Sequence, residues 1–191
     1  MLLVLPDVAY RNGTYATFHA GGTTDPTASD IKYFNMLKAW KVRGETGEFH
    51  FTDSHAKNEA VKDSSKRETL RARLIARLRN SKNMILIITD TTRDDDDWVP
   101  FEIRYAIDEC AIPIIAAYPG IQVIMNPQNL SHLWPGALAT RIQNNSASVI
   151  HVPFYKYVVS DAVDQFGPGA LPKGNGLGHY SRDAHKNFGL L

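Results

Sequence analysis

Three segments of the chain carry hydrophobic patterns that predict its central elements. Lys66 to Asn80 places leucines at i, i+4 and i+8 among arginines, which is typical of an amphipathic helix with one buried stripe. Met84 to Thr89 and Ile112 to Tyr118 are instead continuous apolar runs. Because a central strand of an α/β sheet is covered on both faces, such runs predict parallel strands in the middle of the sheet.

Weaker patterns complete an alternation of strands and helices. Strands that alternate with helices form a parallel sheet covered on both faces. We therefore expect an α/β fold, a doubly wound sandwich around a mainly parallel five-stranded sheet. The remaining predicted strands are Thr14 to Ala20, Phe49 to Thr52 and Ser148 to Phe154; helices are predicted after Ser29 or Asp30, from Pro100 and over Val158 to Gln165, and a polar loop over Asp53 to Ser65.

The length of the chain, 191 residues, suits one domain with an appended segment. From Gly167 onwards glycine and proline dominate and hydrophobic periodicity disappears. We predict a single domain over residues 1–166 and a Gly/Pro-rich C-terminal extension over residues 167–191, packed along the surface or partly disordered.

The charge balance argues against two classes of partner. Lysine and arginine number 21 against 20 aspartate and glutamate, a net charge of +1, so no overall attraction to nucleic acid or to a membrane is expected. The single cysteine, Cys110, cannot form an internal disulfide, which suits a reducing compartment. The apolar start, Met1 to Leu5, is too short to span a membrane and has no basic leader. We predict a cytoplasmic protein.

Candidate ligand contacts follow the first two predicted strands. In a doubly wound sheet, ligands bind outside the carboxyl ends of the strands. His19 precedes Gly21 and Gly22 in a turn before a predicted helix, where backbone N–H groups can approach a pyrophosphate. Asp53 and Ser54 end the second strand, where the Asp53 carboxylate can accept hydrogen bonds from ribose hydroxyls. All of these residue types are also common in turns that bind no ligand.

The acidic run Asp94 to Asp97 is a candidate cation site. Adjacent residues point in different directions, however, and the ligand spacing of an EF-hand loop is missing. We favour a solvated run that lies before a helix N-terminus, and we predict no metal site.

Glu102 is the strongest candidate for chemistry. With Pro100 at the first helical position, Glu102 lies in the first turn, where the helix dipole favours an ionised carboxylate. Trp98, four residues earlier, can wall the same pocket at the mouth of the sheet. Taken alone, the pair also fits an ordinary first-turn glutamate and a core aromatic.

The segment Trp98-Val-Pro-Phe-Glu102-Ile lies between the strands MILIIT and IPIIAAY, and it resembles the Trp-x-x-x-Glu motif of TIR domains. More narrowly, residues 15–118 resemble the TIR-like proteins of the bacterial Thoeris anti-phage system, in which a strand ending in Phe-His opens the domain, as in Thr17-Phe-His-Ala20. The resemblance implies a flavodoxin-like, TIR-like fold with Glu102 as the catalytic residue. It also implies nucleotide contacts by Phe18, His19, Asp53 and Trp98.

The activity implied by the resemblance is cleavage of NAD, which is then a substrate and not a cofactor. Breaking the nicotinamide–ribose bond passes through an oxocarbenium-like transition state that one ionised carboxylate can stabilise. Nicotinamide leaves as a neutral molecule, so neither a general acid nor a metal is required. The product is ADP-ribose if water is the acceptor, a cyclic nucleotide if the acceptor belongs to the same molecule, and a conjugate if it is another small molecule.

The resemblance favours a signalling nucleotide that diffuses to a separate effector protein, with a phage-derived trigger and a homo-oligomer as further expectations. Two alternatives stay open. One is a non-catalytic module that recruits partners through a TIR-like surface. The other is an enzyme similar to nucleoside deoxyribosyltransferases, which also use a carboxylate on a related α/β fold.

Overall fold

A computed structural model describes residues 11–22, 25, 27, 29–42, 51–52 and 64–191. Within these ranges, six strands form one sheet in which every neighbouring pair is parallel. The strands are β1 (Gly13–Thr17), β2 (Phe51–Thr52), β3 (Ser81–Ile87), β4 (Ile114–Tyr118), β5 (Val149–Pro153) and β6 (Gly178–His179).

The described residues also form six α-helices. They are α1 (Ile31–Val42), α2 (Ser64–Arg79), α3 (Trp98–Arg104), α4 (Gly136–Gln143), α5 (Lys156–Gln165) and α6 (Arg182–Asn187). Helix α3 continues into a π-helical turn, Tyr105–Glu109, and 3-10 helices span Thr92–Asp94 and Pro127–Leu133. No helix in the described part of the chain is long and apolar enough to cross a bilayer.

The strand order is β2-β1-β3-β4-β5-β6. The chain passes from β1 to β2 on one side and then crosses to β3 on the other side, so the order reverses at β1. Such a switch point leaves a crevice at the carboxyl ends of β1 and β3, which is where ligands of doubly wound folds bind. The predicted α/β fold with a parallel sheet is confirmed, and β6 adds a short strand to the five expected.

Alternate residues of the central strand β3 and its continuation enter two separate cores. Met84, Leu86 and Ile88 belong to the core beneath α2, α3 and α4. Ile85 and Ile87 belong to the core beneath α1 and α5. Each of these five side chains is at most 1% exposed. Burial on both faces therefore explains the continuous apolar run in the sequence.

The segment after Gly167 contains regular structure that the sequence analysis did not anticipate. Strand β6 pairs with β5 at the edge of the sheet. A Cβ at Gly178 would lie 2.6 Å from the carbonyl oxygen of Val149, so a glycine is needed for β6 to approach this closely. The Ser181 side chain caps α6 by accepting a hydrogen bond from the Ala184 backbone N–H. Elements of two and six residues are too short to show a periodic pattern.

Candidate active site

Three alternate residues, Tyr15, Thr17 and His19, form a polar column that runs along β1 and past its end, facing α3. The Tyr15 hydroxyl donates a hydrogen bond to Glu102 Oε1 at 2.8 Å, and the Thr17 hydroxyl donates to Oε2 of the same carboxylate. Two residues further on, His19 Nδ1 lies 3.0 Å from Asp95 Oδ2. Side chains two residues apart on a strand share a face, which explains why all three meet the segment that leads into α3.

The Glu102 carboxylate is enclosed. Its residue is 0% exposed, and each carboxylate oxygen accepts a hydroxyl hydrogen bond. Removing a carboxylate from water is costly unless protein donors replace the water, and Tyr15 and Thr17 are such donors. Glu102 was predicted at the mouth of the sheet; in this structure it lies beside the carboxyl end of β1 but without surface in contact with solvent.

Helix α3 begins two residues earlier than predicted. Trp98 is its first residue and Pro100 its third, so Glu102 is the fifth helical residue and the first turn contains no acidic residue. The prediction that the helix dipole acts on a first-turn Glu102 is therefore wrong. Proline is tolerated here because the first backbone N–H groups of a helix have no intrahelical partner.

Asp95 connects the β1 column to the start of α3. Its Oδ1 accepts hydrogen bonds from the backbone N–H groups of Asp97 at 3.0 Å and Val99 at 3.2 Å, while its Oδ2 faces His19. A carboxylate at this position satisfies N–H groups that the helix leaves free. The acidic run thus serves the helix N-terminus through Asp95. No group of acidic, histidine or cysteine side chains in the described part of the chain is arranged to hold a metal ion.

Asp30 is a buried carboxylate that the sequence analysis considered only as a helix cap. It is 2% exposed and accepts hydrogen bonds from the hydroxyls of Thr89, at 2.9 and 3.0 Å, and Thr92, at 3.1 Å. The His19 backbone N–H also donates to it. Burial raises the pKa of Asp30 above its ordinary value, against the effect of these hydrogen bonds. In the sequence, Thr89 and Thr92 follow the apolar run of β3, and this is the signal for their contact with Asp30.

The other proposed nucleotide contacts are placed differently. Phe18 is 3% exposed and stacks on Phe34 of α1 with 4.9 Å between ring centroids, so it points to the face of β1 opposite Glu102. Trp98 lies toward α2, where the Arg67 guanidinium is 5.1 Å from its ring centroid. Asp53 and Ser54 lie outside the described residues.

A second buried polar network, formed by Trp134, Tyr118, His151 and Gly176, lies on the side of the sheet toward β6. Trp134 Nε1–H donates to the Tyr118 hydroxyl at 2.9 Å, and that hydroxyl lies 2.7 Å from His151 Nδ1. His151 Nε2 lies 2.9 Å from the Gly176 carbonyl oxygen. Because a carbonyl only accepts, Nε2 carries the hydrogen and Nδ1 accepts from Tyr118. Burial lowers the pKa of His151 to about 4, so the imidazole is neutral at pH 7.

Two clefts flank the C-terminal extension. One, of about 590 Å³, lies between α5 and α6; the other, of about 650 Å³, lies between α4 and the loop around Asn175. The described residues that line them all follow position 127 in the chain. No residue of the β1 column or of α3 lines either cleft.

The switch point at β1 and the Trp98-to-Glu102 segment that begins the helix after β3 together define a TIR-like domain. A more specific assignment comes from comparison with known families. The family model described as the TIR-like domain of the Thoeris protein ThsB matches residues 15–123, more than half of the chain. The chain belongs to this family. The match contains the β1 column, Asp95 and Glu102, whereas Trp134, His151 and Gly176 lie beyond it.

Proposed function

We propose that the chain is an NAD-consuming TIR enzyme of bacterial anti-phage immunity, with Glu102 as its catalytic residue. The observation that carries the proposal is the Glu102 carboxylate at the carboxyl end of β1, hydrogen-bonded through both oxygens to Tyr15 and Thr17. Both donors and the acceptor belong to the segment that matches the ThsB TIR-like family. A carboxylate fixed from two sides keeps its position while charge develops on a substrate beside it.

The proposed reaction breaks the bond between nicotinamide and the C1′ of its ribose. Positive charge accumulates on the ribose as neutral nicotinamide departs, and an ionised Glu102 stabilises that charge without moving. The arrangement needs no metal ion for this step, since the leaving group carries no negative charge.

Access to Glu102 requires a change of conformation under this proposal. A side chain with 0% exposure cannot touch a ribose in the conformation described here. We propose that this conformation is the resting one and that a phage-derived trigger, self-assembly of the chain, or both favour an open form. A trigger shifts the equilibrium only to the extent that it binds the open form more tightly.

The proposed product is an ADP-ribose derivative, cyclic or conjugated, which diffuses through the cytoplasm to a separate effector. The product depends on which hydroxyl group attacks C1′. The acceptor held nearest to C1′ reacts fastest because proximity raises its effective concentration.

Nicotinamide release by purified protein tests the catalytic assignment. The Glu102→Gln variant keeps the size of the side chain but removes its charge, so we expect release to fall by at least about 100-fold. Glu109→Gln is the matched control, because Glu109 is an exposed glutamate on the π-helical turn that continues α3, and it should retain wild-type release. Equal, measurable release by wild type and Glu102→Gln would remove Glu102 from the mechanism.

A second candidate function, a non-catalytic interaction module, is favoured by the full enclosure of Glu102. In that case the carboxylate only joins β1 to α3, and NAD does not bind. Thermal unfolding with and without a non-hydrolysable NAD analogue separates the two functions, because a ligand that binds only the folded state raises the midpoint temperature. A midpoint that rises with analogue concentration supports the enzyme; an unchanged midpoint in protein prepared after phage induction supports the interaction module.

A further inference from the structure

His19 is the outermost member of the β1 column. It lies two residues beyond Thr17, and two residues of extended chain advance by about 6.6 Å toward the carboxyl end of the strand. The His19 side chain is 20% exposed, whereas Tyr15, Thr17 and Glu102 are each 0% exposed. A ligand that enters the crevice from the rim of the sheet therefore reaches the imidazole before it reaches the carboxylate.

Asp95 fixes the orientation of the His19 ring. The Asp95 carboxylate accepts two backbone N–H groups through Oδ1 and faces His19 Nδ1 through Oδ2. An ionised carboxylate only accepts hydrogen bonds, so Nδ1 carries the ring hydrogen and Nε2 keeps a lone pair. A histidine whose Nδ1–H is bound to a carboxylate is oriented to take up a proton at Nε2.

Asp30 fixes the backbone at the same residue. Its buried carboxylate accepts the His19 backbone N–H and is itself held by Thr89 and Thr92 at the end of β3. His19 is consequently held through its ring by Asp95 and through its main chain by Asp30. Gly21 lies beside Nε2, since a Cβ built on it would be 3.8 Å from that nitrogen, an ordinary contact distance.

We propose that His19 Nε2 is the base that accepts a proton from the attacking hydroxyl during transfer of the ADP-ribosyl group. This inference rests on the proposed function and adds a second catalytic residue to it. The C1′–nitrogen bond breaks and its electron pair leaves with neutral nicotinamide. In the same step the acceptor oxygen, from water or an alcohol, forms a bond to C1′ and its proton passes to Nε2. The imidazolium formed keeps its contact with Asp95 and returns the proton to solvent.

The tautomer of His19 tests the geometry without any activity. Nitrogen-15 NMR of histidine-labelled protein, with the His19 signal assigned by its loss in His19→Gln, should show the hydrogen on Nδ1 at pH above the imidazole titration. A hydrogen on Nε2 would overturn the inference while leaving the assignment of Glu102 intact.

Rescue by azide tests whether His19 acts as a base. With water as acceptor, His19→Gln should lower kcat for nicotinamide release about 100-fold, because the base is lost, with little change in KM. Azide attacks without losing a proton, so it should restore turnover in His19→Gln with formation of an azido product, but not in Glu102→Gln. His132→Gln, a change at an exposed histidine outside the family match, is the matched control and should behave as wild type.

The outcomes separate this inference from the proposed function. A wild type that releases nicotinamide together with a His19→Gln variant of unchanged kcat overturns the base alone. A variant with raised KM and no response to azide would make His19 a nucleotide contact only. A wild type that cleaves no NAD after phage induction overturns the proposed function and the base with it.

Discussion

The two buried polar networks, which lie on the same face of the sheet, differ in how they end. In the Trp134–Tyr118–His151–Gly176 network every donor meets an acceptor, and His151 at its centre is 1% exposed. The β1 column begins with equally buried hydroxyls but ends at a partly exposed imidazole beside the crevice. A closed, neutral network can only hold parts of the fold together, whereas a column that reaches the rim can act on a ligand.

Breaking the His151 network should have the largest effect on stability. His151→Leu keeps the volume roughly constant but leaves the Tyr118 hydroxyl without its acceptor and the Gly176 carbonyl without its donor. At about 1–3 kcal/mol for each unsatisfied buried group, we expect a loss of roughly 4 kcal/mol at pH 7 in urea unfolding. A loss below about 1 kcal/mol would mean that the network does not secure the extension.

The pH dependence of that loss sharpens the comparison. The pKa of His151 is lowered to about 4 in the folded state, so between about pH 6.5 and pH 4 the unfolded chain binds the proton first and acid destabilises the fold. This amounts to about 3 kcal/mol, at 1.36 kcal/mol per pKa unit. The raised pKa of Asp30 acts in the opposite direction, since the folded state then binds its proton at higher pH.

Comparing variants isolates the contribution of His151. Because wild type loses about 3 kcal/mol on acidification and His151→Leu has no imidazole to protonate, the difference between them should shrink from roughly 4 kcal/mol at pH 7 to roughly 1 kcal/mol at pH 4. A difference that stays constant across this range would show that the pKa of His151 is not lowered in the folded state.

Thr17→Val tests the β1 column. Its expected loss of stability lies between those of His151→Leu and Asp97→Asn. The change is nearly isosteric and removes one hydroxyl donor from the Glu102 carboxylate, so we expect a loss of about 2 kcal/mol in urea unfolding together with reduced nicotinamide release. Thr140→Val is the control, since its hydroxyl donates only to the Gly136 carbonyl within α4 and is exposed. Similar losses of stability in both variants would indicate that the hydrogen bond from Thr17 to Glu102 contributes no more than that of an exposed threonine.

Asp97→Asn should have the smallest effect. Asp97 pairs with Arg67 on the surface, where the two side chains are 43% and 54% exposed. Exposed pairs contribute about 0.5 kcal/mol or less because water and salt screen them. A urea-unfolding loss above about 1 kcal/mol would show that charge near α3, and not burial, sets the stability of this region.

The sequence predicted the fold well because a strand that is buried on both faces is a continuous apolar run. The run from Met84 identified β3, and the leucine spacing identified α2. The boundaries were less exact: β1 ends at Thr17, whereas the predicted strand continued to Ala20, although Phe18 and His19 still point to opposite sides.

The sequence identified candidate residues of the site but not the contacts that they make. The motif singled out Glu102, and the turn singled out His19. The partners of Glu102 lie 85 and 87 residues away, and their choice depends on which face of β1 is covered by α3, which a single sequence does not reveal. The same holds for His151, since Trp134, Tyr118 and Gly176 share no local pattern with it.

A structure of the protein with a non-hydrolysable NAD analogue tests the central claim most directly. The account predicts an opened crevice at β1, with the ribose C1′ within about 3.5 Å of a Glu102 carboxylate oxygen and His19 at the entrance. An analogue bound in a cleft beside the C-terminal extension, with Glu102 still enclosed by Tyr15 and Thr17, would contradict it.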